Sequence, residues 1–310
     1  MNILVTGGAG YIGSVLVPLL LREGHQVTVL DNFLYRQPSL LDCCFEKRLT
    51  VIRGDARDRD LVGKLAAKAD AVLPLACLTG APICARDPWA AKGVNYEAVK
   101  MLAEGLSADQ RLIFPSTNSG YGIGQEGIHC DENTPLKPVS LYGRLKVDVE
   151  ALLLDTGRFV TFRFATLFGV SPRMRVDLLV NDFTYRAVTD RCVVLFEAHF
   201  KRNYLHVRDA ARAFIHVLEN YDAMKGRPYN VGLSDANLSK QELCEVIKRH
   251  VPDFYFTEAK LGEDPDKRNY IVSNGRIEST GFLPCTSLDD GIDELIRGYQ
   301  ILRQNQFANV

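Results

Sequence analysis

Asn2-Ile3-Leu4-Val5-Thr6-Gly7-Gly8-Ala9-Gly10-Tyr11-Ile12-Gly13 is the stretch on which the fold turns. A short apolar run of this kind reads as a buried strand, and the apolar spacing over residues 11–22 reads as an amphipathic helix. Between them the glycines at 7, 10 and 13 fall in a G-x-x-G-x-x-G spacing. Glycine permits a tight turn and a close backbone approach, while the free N–H groups and the positive end of the helix form a seat for a pyrophosphate. Strand, turn and helix together predict a dinucleotide site held by Gly7, Gly10, Tyr11, Ile12 and Gly13.

Working outward, further apolar runs at 27–31, 50–54, 71–75, 112–115 and 160–164 alternate with helical patterns at 59–68, 89–106 and 141–154. Nearly continuous hydrophobicity in the runs predicts parallel strands covered on both faces. The expected fold is α/β, a Rossmann-type doubly wound parallel sheet with a smaller C-terminal lobe. Residues 1–165 are assigned to the nucleotide-binding domain, with later segments returning to it, and 166–310 mainly to the substrate lobe. In the latter, glycine- and proline-punctuated loops separate helical windows near 177–188, 208–220, 239–250 and 288–303.

Asp31 closes the second predicted strand, where a carboxylate accepts hydrogen bonds from ribose hydroxyls and repels a 2′-phosphate. NAD is therefore the expected cofactor, with Arg36 nearby as the residue that argues the other way. Asn32 belongs to the same strand end. Asp55 and Ala56, after the third strand, are placed to meet the adenine, and Leu75 and Ala76 end the fourth strand beside the cofactor.

Tyr142-Gly143-Arg144-Leu145-Lys146 sets a phenol and an ammonium on one face of a predicted helix. A phenol titrates near ~10 in water, and an adjacent ammonium favours the phenolate that a general base needs. Alone this spacing arises often by chance. Its place downstream of the nucleotide turn gives it weight.

Composition narrows the alternatives. The 310 residues are 46% hydrophobic, enough for a substantial core, and 37 basic side chains face 38 acidic ones. That balance gives no reason to expect nucleic acid or an anionic membrane as a partner. The eight cysteines show no C-x-x-C pair and no Cys/His cluster at zinc-ligand spacing, so no metal is expected and the thiols read as reduced. With no basic leader and no apolar run long enough to span a bilayer, the cytoplasm is the expected compartment.

These motifs, with Ser116-Thr117 and Arg202-Asn203-Tyr204-Leu205-His206-Val207-Arg208-Asp209, resemble the extended short-chain dehydrogenase/reductase family across essentially the whole chain. The resemblance implies that Thr117 lies beside the substrate oxygen, that Tyr142 is the base and that Lys146 is its electrostatic partner and a ligand of the nicotinamide ribose. It also implies that Arg202 and Arg268 hold a nucleotide diphosphate, which two forked guanidiniums suit. Asn118, Ser119 and Arg173 complete the expected substrate contacts. A homodimer is implied too, through pairing of helices 89–106 and 141–154 from each subunit.

Family members that dehydrate their sugar place acids directly after the threonine, whereas Asn118 and Ser119 cannot act as carboxylates. Cys84, Cys130 and His199 lie outside the threonine segment, and structural thiols are the expected reading. What remains is chemistry at one carbinol, as net oxidation or as 4-epimerisation. Segments 78–84, 117–124, 171–175 and 262–268 resemble the members that oxidise GDP-heptose at C4 in capsule biosynthesis. That likeness implies a GDP-sugar substrate and recycling of the reduced cofactor by a keto-acid such as 2-oxoglutarate. A non-catalytic nucleotide-binding sensor is the third reading, for which loss of the Tyr/Lys pair would be the sign.

Overall fold

The computed structural model describes residues 1–259 and 268–302. Its strands β1 (Asn2–Thr6), β2 (Gln26–Asp31), β3 (Leu49–Arg53), β4 (Ala71–Pro74) and β5 (Arg111–Thr117) join Val160–Phe164 and Arg227–Val231 in one seven-stranded sheet. Its order is Arg227–Val231, Val160–Phe164, β5, β4, β1, β2, β3. Every adjacent pair is parallel.

Side-chain alternation in β1 explains why both faces need cover. Ile3 and Val5 join a core with Leu16, Val17 and Leu20 of α1 (Gly13–Arg22) and with Phe214 and Val217 of the Val207–Glu219 helix. Leu4 points the other way, into a core with Val62 of α2 (Arg59–Ala66), Leu102 and Val149. The doubly wound sheet expected from the sequence is thus present. Strand order reverses between β1 and β4, and in such sheets the crevice beyond the strand ends at the reversal is where ligands bind.

The smaller lobe is built on a three-stranded sheet of Thr166–Phe168, Lys201–His206 and Asn237–Ser239. Helices Leu179–Thr189, Lys240–His250 and Leu288–Ile301 enclose its own core around Phe168, Val180, Ile247 and Leu295. Ser239 and Glu242 form a reciprocal capping box at the start of Lys240–His250, which fixes where that helix begins.

Two elements differ from the sequence reading. The expected helix 89–106 is broken into Pro88–Lys92, a π-helical turn Gly93–Glu97, and Ala98–Gly105. Asn95 in the wide turn is buried; its Oδ1 accepts from the Leu78 N–H at 2.8 Å and its Nδ2 donates to the Leu78 carbonyl at 2.9 Å. The local widening lets that side chain pin the loop after β4. The helix expected from residue 11 begins at Gly13, because Tyr11 and Ile12 belong to the glycine turn.

The Leu141–Asp155 helix is tied to the sheet by a buried ion pair. Arg163, on Val160–Phe164, contacts Glu150 Oε1 at 2.8 Å and donates to Tyr121 Oη at 3.0 Å, and Tyr121 Oη donates to Asn230 Oδ1 at 2.7 Å. Among the described residues no helix is long and apolar enough to cross a membrane.

Candidate active site

An open cleft lies at the sheet's reversal point. Gly7 and Gly10 line it together with Asp31, Asn32, Asp55, Ala56, Leu75 and Ala76. The glycines do different work. Gly7 has φ +72°, and a Cβ there would sit 2.4 Å from the Ala76 nitrogen. At Gly13 a Cβ would sit 2.5 Å from the Gly8 carbonyl oxygen. Both positions permit packing within the protein, and Gly7 lines the cleft together with Gly10. We expect Gly7→Ala to cost about 1–3 kcal/mol from the left-handed backbone alone and to abolish dinucleotide retention, as read by a denaturant melt and by the nucleotide content of the purified protein.

Asp31 is preorganised. Its Oδ2 accepts from the Ala9 N–H at 2.9 Å and its Oδ1 from the Phe33 N–H at 2.7 Å. Burial raises its carboxyl pKa, opposed by those two bonds and by the charge of Arg173. Asp55 sits at the rim, 2.6 Å from Arg57, whose hydrogen bond holds its carboxyl below the usual range. The glycine cradle and the carboxylate at the end of β2 fit a dinucleotide with free ribose hydroxyls.

The side chains of Tyr11 and Ile12 are engaged within the protein. The Tyr11 hydroxyl donates to the Gly169 carbonyl at 2.7 Å, its own carbonyl accepts from Ser171 Oγ at 2.8 Å, and Ile12 packs against the core. Burial raises the Tyr11 phenol pKa, consistent with a structural hydroxyl.

Thr117 ends β5 and caps the turn Asn118–Tyr121, accepting from the Ser119 N–H at 3.1 Å and donating to Ser119 Oγ at 3.0 Å. Ser140 caps the Leu141–Asp155 helix, which presents Tyr142 and Lys146 one turn apart. Lys146 is 3% exposed; its Nζ donates to the Pro115 carbonyl at 2.7 Å and lies 4.4 Å from the centre of the Phe114 ring. The ammonium therefore lies against β5 just ahead of Thr117. Burial raises the Tyr142 phenol pKa, as do the Cys77 and Cys84 thiols, and the charges of Arg175 and Arg268 oppose them.

Asn118 is 1% exposed, and neither end of its amide has a hydrogen-bond partner among the described residues. Ser119 Oγ accepts from the Arg268 guanidinium, so Arg268 does reach the Thr117 segment. Arg202 is buried on the neighbouring strand, its guanidinium 5.8 Å from the centre of the Tyr270 ring, and Lys201 bonds to Asn269 at 2.9 Å. The segments bearing the two arginines are thus adjacent. Residues 262–267 of the motif expected before Arg268 lie outside the described residues.

Arg173 was expected among the substrate contacts. It lines the dinucleotide cleft beside Tyr35, because Ser14 and Ser171 draw its segment onto α1. Tyr35, Cys77 and Arg175 were not singled out from the sequence. Cys84 is a structural thiol, buried, bonded to the Leu78 carbonyl at 3.2 Å and pushed up to about 12 by burial.

Comparison with known proteins agrees with this geometry. Residues 3–232 match the model of the NAD dependent epimerase/dehydratase family. A dTDP-glucose 4,6-dehydratase of Streptomyces niveus is 31% identical over 97% of this chain and 93% of its own. The crystal structure of the Thermus thermophilus UDP-glucose 4-epimerase with NAD superposes with a TM-score of 0.83, at 25% identity over 97% of this chain and 99% of that one. The fold is shared as well with a UDP-glucuronic acid 4-epimerase of Bacillus cereus, at a TM-score of 0.87 and 23% identity, covering 97% and 100% of the two chains. With a family model matched over most of its length and a relative 31% identical across nearly the whole chain, this chain belongs to the NAD-dependent epimerase/dehydratase family.

Proposed function

We propose that the protein oxidises the C4 hydroxyl of a nucleotide-sugar, with GDP-D-glycero-α-D-manno-heptose as substrate and a 4-keto heptose as product. The observation that carries the reading is the Thr117-Asn118-Ser119 segment beside the helix of Tyr142 and Lys146. Tyr142 takes the hydroxyl proton onto its phenolic oxygen, Thr117 orients that hydroxyl, and Lys146 stabilises the phenolate. Bound NAD supplies the hydride acceptor, so the C4 carbinol becomes a ketone.

Arg202 and Arg268 hold the diphosphate, and Arg173 belongs to the cofactor side. An amide at 118 and a hydroxyl at 119 offer no acid to expel a neighbouring hydroxyl, which separates this chain from its dehydratase relatives. The choice of GDP-heptose rests on the resemblance to the 4-dehydrogenase of Campylobacter capsule biosynthesis, as does reoxidation by 2-oxoglutarate. A 4-epimerase would use the same groups. A sensor has no use for both Tyr142 and Lys146.

Mixing the NAD-loaded protein with GDP-heptose tests this. Reduced-nicotinamide absorbance is expected to rise in proportion to enzyme and to fall when 2-oxoglutarate is added. No rise with GDP-heptose, against a rise with a UDP- or dTDP-sugar, would overturn the substrate assignment. We also infer a homodimer joined through the Leu141–Asp155 helix and the helices flanking the π turn, where Trp89 is 85% exposed. Light scattering should give twice the 34.6 kDa chain mass, and a single-chain mass at micromolar concentration would contradict it.

A further inference from the structure

The loop after β2 and the segment that enters the smaller lobe meet over the dinucleotide cleft. Residues 169–175 are fastened to the start of α1. Tyr11 Oη donates to the Gly169 carbonyl, Ser171 Oγ lies 2.8 Å from Ser14 Oγ, and the Arg173 N–H donates to Ser14 Oγ at 3.2 Å. From the other side Gln37 Nε2 donates to the Met174 carbonyl at 3.4 Å. The strap therefore bridges the glycine turn and the loop that begins at Asp31.

From this strap Arg173, 2% exposed, places its guanidinium carbon 3.8 Å from the centre of the Tyr35 ring. Both side chains line the cleft with Asp31. Burial, aided by the charge of Arg175, lowers the Arg173 pKa to about 10, which still leaves it cationic at neutral pH. A buried cation on a cleft wall favours an anionic or oxygen-rich ligand there.

Tyr35 adds an independent observation. Its hydroxyl is buried with no hydrogen-bond partner among the described residues. Leaving a buried hydroxyl unmade is costly, so its retention points to an oxygen supplied by a bound ligand. The loop that presents it holds Phe33 and Arg36 at φ 54° each, a left-handed backbone that non-glycine residues keep only when their surroundings impose it.

We propose that Arg173 and Tyr35 form a latch across the adenosine half of NAD, making the dinucleotide a resident group that leaves only when the 169–175 strap lifts from α1. The inference rests on the NAD reading of the cleft. It assigns to a smaller-lobe arginine the retention of a cofactor otherwise held by the sheet domain. Such retention suits a protein whose reduced cofactor is reoxidised in place.

Exchange of bound NAD tests the latch without reference to turnover. The full-length protein is loaded with isotopically labelled NAD, diluted into excess unlabelled NAD, and the bound nucleotide followed by mass spectrometry. Arg173→Ala and Tyr35→Ala are each expected to accelerate exchange about tenfold or more, by losing charge-assisted and stacking contacts. Arg173→Lys should also exchange faster, since an ammonium cannot stack as a planar guanidinium does. If Arg173→Ala fails to fold, Tyr35→Ala and Arg173→Lys decide. Wild-type exchange rates in the folded variants would overturn the latch while leaving NAD binding intact. A wild-type protein that takes up no NAD would overturn the reading of the cleft itself.

Discussion

Tyr142→Phe is expected to lower turnover about 10²–10⁴-fold while leaving the fold and the bound NAD in place. The substitution removes one oxygen from a side chain that packs against the cluster of Ile83, Cys84, Ala91 and Leu145, so little packing volume is lost. What disappears is the acceptor for the substrate's proton. The wild-type pH profile carries a second expectation from the same group. Burial raises the phenol pKa, with the Cys77 and Cys84 thiols adding to the shift, so the phenolate fraction grows as pH rises. Below that pKa, kcat/KM should climb by about tenfold per pH unit if Tyr142 is the base. The Arg175 and Arg268 charges and the positive nicotinamide pull the limb toward neutrality. A Tyr142→Phe protein that keeps wild-type rates with the same pH limb would remove Tyr142 from the chemistry.

Glu150→Ala is expected to cost about 3–5 kcal/mol of stability, because it strands the buried Arg163 guanidinium. The pair is almost wholly enclosed, with side chains 6% and 2% exposed, and the 2.8 Å contact also orients the Arg163 bond to Tyr121. Since Glu150 lies on the helix that carries Tyr142 and Lys146, activity should fall with stability. Urea unfolding measures the cost. Glu150→Leu combined with Arg163→Met should recover much of it, as apolar replacement of both partners removes the unpaired charge. A loss below about 1 kcal/mol for Glu150→Ala, the scale of an exposed pair, would contradict the structural account.

The parts of the site that were legible in the sequence are those whose geometry is local. The turn from Gly7 to Gly13 is written in consecutive residues, and Tyr142 and Lys146 share a helix face by spacing alone. Asp31 needs only a strand end. The features that were not legible depend on partners far along the chain. Arg173 faces the cofactor cleft because Ser171 meets Ser14 across 157 positions of sequence, which periodicity does not report. The π turn exists because Asn95 bonds to Leu78, and the Arg227–Val231 strand is placed by pairing with Val160–Phe164. Asn118 was legible as a residue that is not an acid. Its enclosure, with both amide ends unpartnered, was not.

The central claim is oxidation at one carbinol without elimination, and product analysis tests it most directly. The enzyme is incubated with GDP-D-glycero-α-D-manno-heptose with and without 2-oxoglutarate, quenched with borodeuteride, and the sugar analysed by mass and stereochemistry. The account predicts deuterium at C4, in amounts exceeding the enzyme only when the keto-acid is present, with the C6 oxygen retained. Prompt appearance of the C4 epimer without keto-acid, or a product lighter by the mass of water, would contradict it.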